Sequence, residues 1–321
     1  MSTMRAIVME STGGPGVLNV AEVDRPQAVN AEFLVKIVAA GVNPIDAKTR
    51  AGRGVSASIS SYPCILGNDF SGVVVTSPYE GHAFKPGDEV YGVAQVPRQG
   101  GTYAEYVAVP AMSLTRKPKS LSHVEAAGVP LAALTAWGMV VELAKAHEGQ
   151  RILIHAGAGG VGHFAVQFAH FFGAYVIATG STRNLSWLKE LGANEVVDYS
   201  TERFDEVIDH VDVVIDLIGN AQDNTGSRSL SVLRHGGLLV NAPSGSWDTL
   251  IEDAAAAGVR SSHYKVSADG STLAVISRLL ESGDVKVFVD QVFPLDSAAL
   301  AHEALETGHT RGKIVLTVSE V

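Results

Sequence analysis

A single cysteine, Cys64, stands in a chain of 321 residues. No disulfide can form within the chain, and a four-cysteine structural zinc cluster is excluded with it. Basic residues are also short: 24 Lys and Arg face 34 Asp and Glu, a formal charge of −10. A surface of that sign repels phosphate backbones and anionic lipid, so neither nucleic acid nor a membrane is expected as a partner. The opening stretch MSTMRAIVMESTGG lacks the apolar core of a signal peptide. The longest apolar run, Ala126 to Ala144, contains Pro130 and stops at KAHEGQR, which suits a buried helix better than a membrane span. The expected setting is the cytoplasm. The chain shows no internal repeat and no low-complexity segment.

What is present suits a soluble α/β protein of two domains: 46% hydrophobic residues, 18% charged, and 33 glycines for tight turns. The first 120 or so residues read as short strands (MRAIVM, FLVKIVAAGV, FSGVVVT, DEVYGVA, GTYAEYVAVP) parted by Gly, Pro and Asp, the pattern of a barrel-like β domain. From Ser122, with Glu125 as a capping box, a helical stretch runs through Ala146. Strands RILIH, AYVIATG, NEVVDY, VDVVIDLIG, GLLVNAP and GVRSSHYKV then alternate with helical segments, which predicts a parallel sheet covered on both faces. The remaining tail is too short for a domain and is expected to complete the first one. The expected division is 1–122 with 262–321, enclosing 123–261.

Gly157, Gly159 and Gly162 form G-x-G-x-x-G between a strand and a helix. The helix places Val161, Phe164, Ala165, Phe168, Ala169 and Phe172 on one face. Such a turn brings backbone close to a pyrophosphate and points helix N–H groups at it, so Gly157, Ala158, Gly159, Gly160, Val161 and Gly162 are expected to cradle a dinucleotide. An acid about 20 residues further on favours NAD. Here the second strand ends in Gly180, Ser181, Thr182 and Arg183. A carboxylate would repel a 2′-phosphate, whereas Ser181 and Arg183 would bind it, and Gly180 leaves room. The expected cofactor is NADPH. Ser181 can also serve as a helix cap and Arg183 as a solvated side chain.

The blocks AAGVNPID, LGNDFSGVV, FKPGDEVYG, GGTYAEYVAVP, LTAW, HAGAGGVG, LGANEVVDY and HTRGKIVL, in this order, resemble the medium-chain dehydrogenase/reductase superfamily, and within it the zinc-free quinone oxidoreductases related to zeta-crystallin. The resemblance covers nearly the whole chain. It implies a GroES-like β-barrel catalytic domain from both chain ends and a central Rossmann domain with a doubly wound parallel sheet. Zinc-dependent relatives carry metal ligands where this chain has Asn43, Asn68 and Leu131. Asn is a poor zinc ligand and Leu none, so no metal is expected.

Without a metal to hold an alkoxide, the accessible chemistry is hydride delivery to an electron-poor carbon, with charge moving onto a carbonyl oxygen that hydrogen-bond donors stabilise. The resemblance implies reduction of quinones or α,β-unsaturated carbonyl compounds. It places Asn43 toward the cleft, beside nicotinamide and substrate; alternatively Asn43 closes the turn before Pro44. Asp46 either orients Asn43 or Lys48, or caps a helix begun at Pro44. Lys48 stands where related quinone reductases often carry Tyr. Tyr62, Phe70 and Tyr264 are candidates for the substrate wall or for core. By the same resemblance Thr135 lies by the nicotinamide amide, and Tyr199 by the adenosine phosphate. Ile218, Gly219, Pro243 and Ser244 would line the strand ends, and Arg311 with Lys313 would close over the cofactor. A homodimer is expected through GVRSSHYKV, read as the sheet's last strand. Two alternatives stay open: an enoyl-thioester reductase of the same superfamily, and a nucleotide-binding structural or regulatory protein without turnover.

Overall fold

The computed structural model describes residues 2–94 and 101–320. In chain order the first part carries β1 (Thr3–Met9), β2 (Asn19–Asp24), β3 (Glu32–Val42), α1 (Pro44–Arg50), β4 (Cys64–Ile65), β5 (Asp69–Thr76), β6 (Glu89–Val93), β7 (Tyr106–Pro110), β8 (Leu114–Arg116), α2 (His123–Ala127) and α3 (Pro130–Trp137). There follow β9 (Arg151–Ile154), α4 (Gly162–Phe171), β10 (Tyr175–Gly180), α5 (Leu185–Glu190), β11 (Glu195–Asp198), α6 (Phe204–Val207), β12 (Val211–Asp216), α7 (Thr225–Val232), β13 (Leu233–Asn241), α8 (Leu250–Ala256) and β14 (Arg260–His263). The chain closes with α9 (Gly270–Ser282), β15 (Val289–Pro294), α10 (Ala298–Glu306) and β16 (Lys313–Thr317).

Two compact units result: Met1–Leu134 with Ser267–Val321, and Thr135–Val266. The sequence pattern had suggested breaks at 122 and 262. The difference arises in part because α2 packs on β3 and β5 of the first unit. Its Ser122 cap is as expected: Ser122 Oγ accepts the Glu125 N–H at 3.2 Å, and Glu125 accepts the Ser122 N–H at 2.8 Å. The expected single helix to Ala146 does not form. It breaks after α2, because Pro130 has no N–H to continue a ladder and instead starts α3. A π-helical turn, Gly138–Leu143, follows.

The first unit is GroES-like. Its main sheet runs β15-β16-β3-β5-β6-β8, with β7 also on β3, and a smaller sheet runs β2-β1-β4. The C-terminal strand β16 pairs antiparallel with β3, Ile314 opposite Val42. The apolar faces meet in a core around Phe33, Ile37, Phe70, Val90, Tyr103 and Ile314. The second unit is a Rossmann fold. Its six-stranded sheet, β11-β10-β9-β12-β13-β14, is parallel throughout. Leu153, Ile177, Val214 and Leu239 are wholly enclosed, which explains why these strands read as continuous apolar runs. Helix α4 buries not only Phe164, Ala165, Phe168 and Ala169 but also His163, Val166 and Gln167, a wider face than periodicity marked.

Candidate active site

In the Rossmann unit, β9 leads into the glycine turn and α4. A Cβ on Gly162 would fall 2.1 Å from the Ala156 carbonyl oxygen and 2.8 Å from Gly157 Cα, so only glycine lets helix and strand pack this closely. Gly157 donates its N–H to Thr179 O at 3.0 Å, and Ala156 donates to Thr179 Oγ1 at 3.2 Å, which ties the turn to β10. Among the described residues, the N–H groups of Gly160 and Val161 meet no backbone acceptor. N–H groups at the start of a helix can receive an anion.

The turn after β10 is built by side chains. Asn184 Nδ2 donates to Ser181 Oγ at 3.2 Å, and Thr182 Oγ1 donates to Asp198 Oδ2 at 2.5 Å. Asp198 also accepts the Ser200 N–H at 3.0 Å and its hydroxyl at 2.5 Å. These bonds, Ser200's first and Thr182's next, hold the Asp198 carboxyl below its ordinary value. No acid ends β10, yet a carboxylate reaches this turn from β11, whose Asp198 pairs in register with Gly180. Its only signal in the sequence was its place beside Tyr199. Tyr199 is 58% exposed, and its N–H donates to Gly180 O at 3.2 Å, bringing it alongside the Ser181–Arg183 turn. Arg183 is exposed there.

At the carboxyl ends of β12 and β13, buried Asp216 accepts the N–H groups of Ile218 and Gly219 at 2.9 and 2.8 Å and Asn241 Nδ2 at 2.8 Å. One carboxylate thereby fixes both strand ends, with Pro243 and exposed Ser244 just beyond. Asp216 and Asn241 were passed over in the sequence because each ends an apolar run and reads as a strand stop. Thr135 is buried on α3. Tyr264 follows β14, and its ring fills the space left by Gly138, where a Cβ would lie 1.9 Å from the Tyr264 hydroxyl.

In the GroES-like unit, α1 starts at Asn43-Pro44. The Asp46 carboxylate accepts the Asn43 N–H at 2.9 Å, capping the helix begun at Pro44. The Asn43 side chain turns elsewhere. Its Nδ2 donates to Asp69 Oδ2 at 2.8 Å, and its Oδ1 accepts from the Lys313 ammonium. Lys313 Nζ also donates to Val42 O at 3.0 Å and lies 3.7 Å from Asp69 Oδ2. Asp69 Oδ1 accepts the Leu131 N–H at 2.7 Å, and Asn68 Nδ2 donates to Asp46 Oδ1 at 2.5 Å. The Tyr103 hydroxyl stands 3.2 Å from Asp46 and 3.1 Å from His302 Nε2. Asn43 and Lys313 are 1% and 3% exposed.

Burial dominates the electrostatics of this cluster. It raises the Asp46 carboxyl to about 7, with Asp69 adding to the rise and the Asn43 N–H opposing it. It also raises Asp69 and lowers Lys313, each of which the other holds in its charged form. His302 falls to about 4, by burial and then by Arg50. Lys48, half-buried on α1, is lowered by burial and by Arg53. Phe70 is core, Tyr62 is 43% exposed, and the Arg311 guanidinium covers the Phe288 ring at 5.1 Å. A row Ser71–His123–Glu89, at 2.8 and 3.3 Å, superficially matches a hydrolytic triad. The Ser71 hydroxyl also lies 3.4 Å from Val90 O, so the row ties β5 to β6 and α2 as a packing contact.

The positions that hold zinc in metal-dependent relatives do not fit a metal here. Asn43 and Asp69 present their oxygens to N–H donors, Leu131 offers only a backbone N–H, and an ammonium already sits among them. Among the described residues no group of three or more His, Cys, Asp or Glu could hold a metal ion.

A parallel dinucleotide-type sheet in one unit and a GroES-like fold in the other define a class of oxidoreductase. The alcohol dehydrogenase GroES-like domain matches residues 29–119, and the zinc-binding dehydrogenase family matches residues 191–316. The chain is 38% identical to a 2-methylene-furan-3-one reductase of Solanum lycopersicum, over 98% of this chain and 79% of that protein. It is 36% identical to the NADPH-dependent alkenal/one oxidoreductase, chloroplastic, of Arabidopsis thaliana, with the same coverage of 98% and 79%. The quinone oxidoreductase structure from Coxiella burnetii superposes with a TM-score of 0.94 at 37% identity, covering 99% of this chain and 100% of that one. The chain belongs to the medium-chain dehydrogenase/reductase superfamily.

Proposed function

We propose that the protein is an NADPH-dependent, metal-independent reductase of quinones and α,β-unsaturated carbonyl compounds. The observation that carries this reading is the pair Asn43–Lys313: an amide and an ammonium stand where a metal would polarise an alcohol, in a chain that also has a complete dinucleotide turn. The names of the relatives support the same substrate class and the same cofactor.

When bound, NADPH supplies a hydride to the β-carbon of an enone or to a quinone. The electron pair of the conjugated system would then move onto the carbonyl oxygen, and one proton taken up from solvent would complete the product. The N–H groups of Gly160 and Val161 would hold the pyrophosphate. Ser181, Arg183 and Tyr199 would donate to the 2′-phosphate, and Ile218, Gly219, Pro243 and Ser244 line the strand ends along which parallel sheets bind ligands. One Nδ2 proton of Asn43 is engaged by Asp69; the second is the donor for the oxygen that gains charge. Asp46 and Lys48 support that site, Asp46 by holding the start of α1. Within the Rossmann unit, Thr135 would lie by the nicotinamide amide. The protein acts in the cytoplasm, in keeping with its single cysteine; no helix among the described residues is long and apolar enough to cross a membrane.

The test is NADPH consumption, followed by the loss of reduced-nicotinamide absorbance, against quinones, alkenals, enones and enoyl thioesters. Turnover with quinones or enones is expected. Tight NADPH binding without consumption by any acceptor would favour a non-catalytic role, and turnover confined to enoyl thioesters would move the substrate class.

A further inference from the structure

We propose that Lys313 is a positioning residue: its buried ammonium fixes the carboxamide of Asn43 in the one orientation that turns an N–H, rather than an oxygen, toward the acceptor. The inference rests on the reductase reading and gives Lys313 a different task from covering the cofactor.

The geometry leaves the carboxamide one orientation. Asn43 Oδ1 meets the Lys313 ammonium, a group that only donates, and Nδ2 meets Asp69 Oδ2 at 2.8 Å. Turning the amide over would set N–H against N–H on one side and oxygen against a carboxylate on the other. Lys313 is itself tightly anchored, since Nζ donates to Val42 O at 3.0 Å and its strand begins beside Val42, with Ile314 opposite it. Asp69 is anchored by the Leu131 N–H at 2.7 Å. The ammonium thus stands among the positions, Asn43, Asn68–Asp69 and Leu131, from which zinc-dependent relatives hold their metal.

Removing the ammonium changes what Asp69 can do. Burial already pushes the Asp69 carboxyl toward its protonated form, and Lys313 is the main opposing influence. A protonated carboxyl donates as well as accepts, so both amide orientations become satisfied. The flipped amide, with its oxygen toward the acceptor, is then allowed, and the unflipped one is no longer held in place, so the charge that develops there loses its fixed donor. The expected signature is a loss of turnover without a loss of cofactor affinity.

The experiment compares the full-length protein with Lys313→Met and with the double variant Lys313→Met/Asp69→Asn. The double variant removes both buried charges together, so that no carboxylate is left unpaired if the single variant fails to fold. We expect kcat to fall about tenfold or more in both, up to the 10²–10³ that complete loss of an oxyanion donor costs. NADPH affinity, read by fluorescence titration, stays within about twofold, because no direct contact with the cofactor is lost. Recovery of kcat in the double variant would make Lys313 a mere charge partner of Asp69 and overturn the proposal. A tenfold weaker NADPH affinity at unchanged kcat would return it to the cofactor and overturn it equally. A third measurement does not depend on turnover: the Asn43 side-chain amide protons, assigned through Asn43→Asp, are expected as one slowly exchanging pair in the unmodified protein and as a broadened pair in the double variant. If the unmodified protein consumes no NADPH with any acceptor, the reductase reading fails. The locked amide pair still decides the positioning claim, and an unchanged pair in the double variant would refute it.

Discussion

The Asp198 carboxylate accepts the Thr182 hydroxyl at 2.5 Å, across the paired ends of β11 and β10. The bond shapes the turn that holds Ser181 and Arg183, and it sets a negative charge beside the place proposed for the 2′-phosphate. The two effects oppose each other. An amide in place of the carboxylate keeps an acceptor for Thr182 and removes the charge. Asp198→Asn is therefore expected to bind NADPH more tightly, by about three- to tenfold at low salt, with the gain shrinking as ionic strength rises. NADH affinity should stay within about twofold, since it carries no phosphate there. Weaker NADPH binding in this variant would mean that the shape of the turn outweighs the charge.

Arg183 is the other side of that balance. A charge-assisted hydrogen bond contributes roughly 1.5–3 kcal/mol, so Arg183→Ala should weaken NADPH binding about tenfold or more and leave NADH nearly unchanged. Ser181→Asp should weaken NADPH further. Titrations of both cofactors against each variant decide it, and equal affinity for the two in the unmodified protein would remove the phosphate site from this turn.

Asn43→Ala should lower turnover by on the order of 10²–10³ through loss of one polarising donor, with a smaller effect on NADPH affinity. The variant also leaves Lys313 and Asp69 without the amide between them, so its thermal midpoint must be measured alongside. Unchanged turnover would exclude Asn43 from the chemistry.

The cofactor turn was legible because its constraints are local. Gly162 is glycine for a contact with Ala156 six positions away, and strand, turn and helix follow one another without interruption. The parallel sheet was legible for a similar reason: residues enclosed on both faces leave apolar runs. What was not legible depends on strands meeting. Asp198 comes beside the Ser181–Arg183 turn through its register with Gly180. Lys313 lies 270 positions from Asn43 and reaches it only because β16 pairs with β3. From sequence, Lys313 and Arg311 looked like one basic turn; in the fold the first is buried and the second covers Phe288. Tyr103 and His302 gave no signal at all, since an aromatic in a strand and a His in a helix read as packing until the fold sets them beside Asp46.

A homodimer through β14 is expected. Among the described residues this strand ends the six-stranded sheet beyond β13, with Arg260 and His263 exposed and Ser261 and Ser262 half-buried. An uncovered edge invites pairing, and a twofold axis sets two copies of the strand antiparallel. Light scattering should give about twice the 33.6 kDa chain mass at micromolar concentration. Ser261→Lys, which sets a charge against its own copy, should shift the protein toward monomer. A monomeric mass for the unmodified protein would exclude this interface.

The last expectation concerns pH and Asp46. Its carboxyl faces the Asn43 N–H, the Asn68 amide and the Tyr103 hydroxyl, with Asp69 and Lys313 as the nearby charges. Burial, reinforced by Asp69, carries it from an ordinary value of 3.8 to about 7. Between those values the folded protein retains a proton that the unfolded chain has lost. Where the native state binds more protons, stability falls as pH rises. The contribution of Asp46 is therefore most favourable below its unfolded value and is lost progressively up to about pH 7. Asp46→Asn mimics the protonated group at every pH. Its stability relative to the unmodified protein, measured by denaturant unfolding from pH 4 to 8, should rise with pH and level off above about 7. A constant difference across that range would show that Asp46 titrates in the folded protein as it does in the unfolded chain, and that the three donors around it offset its burial.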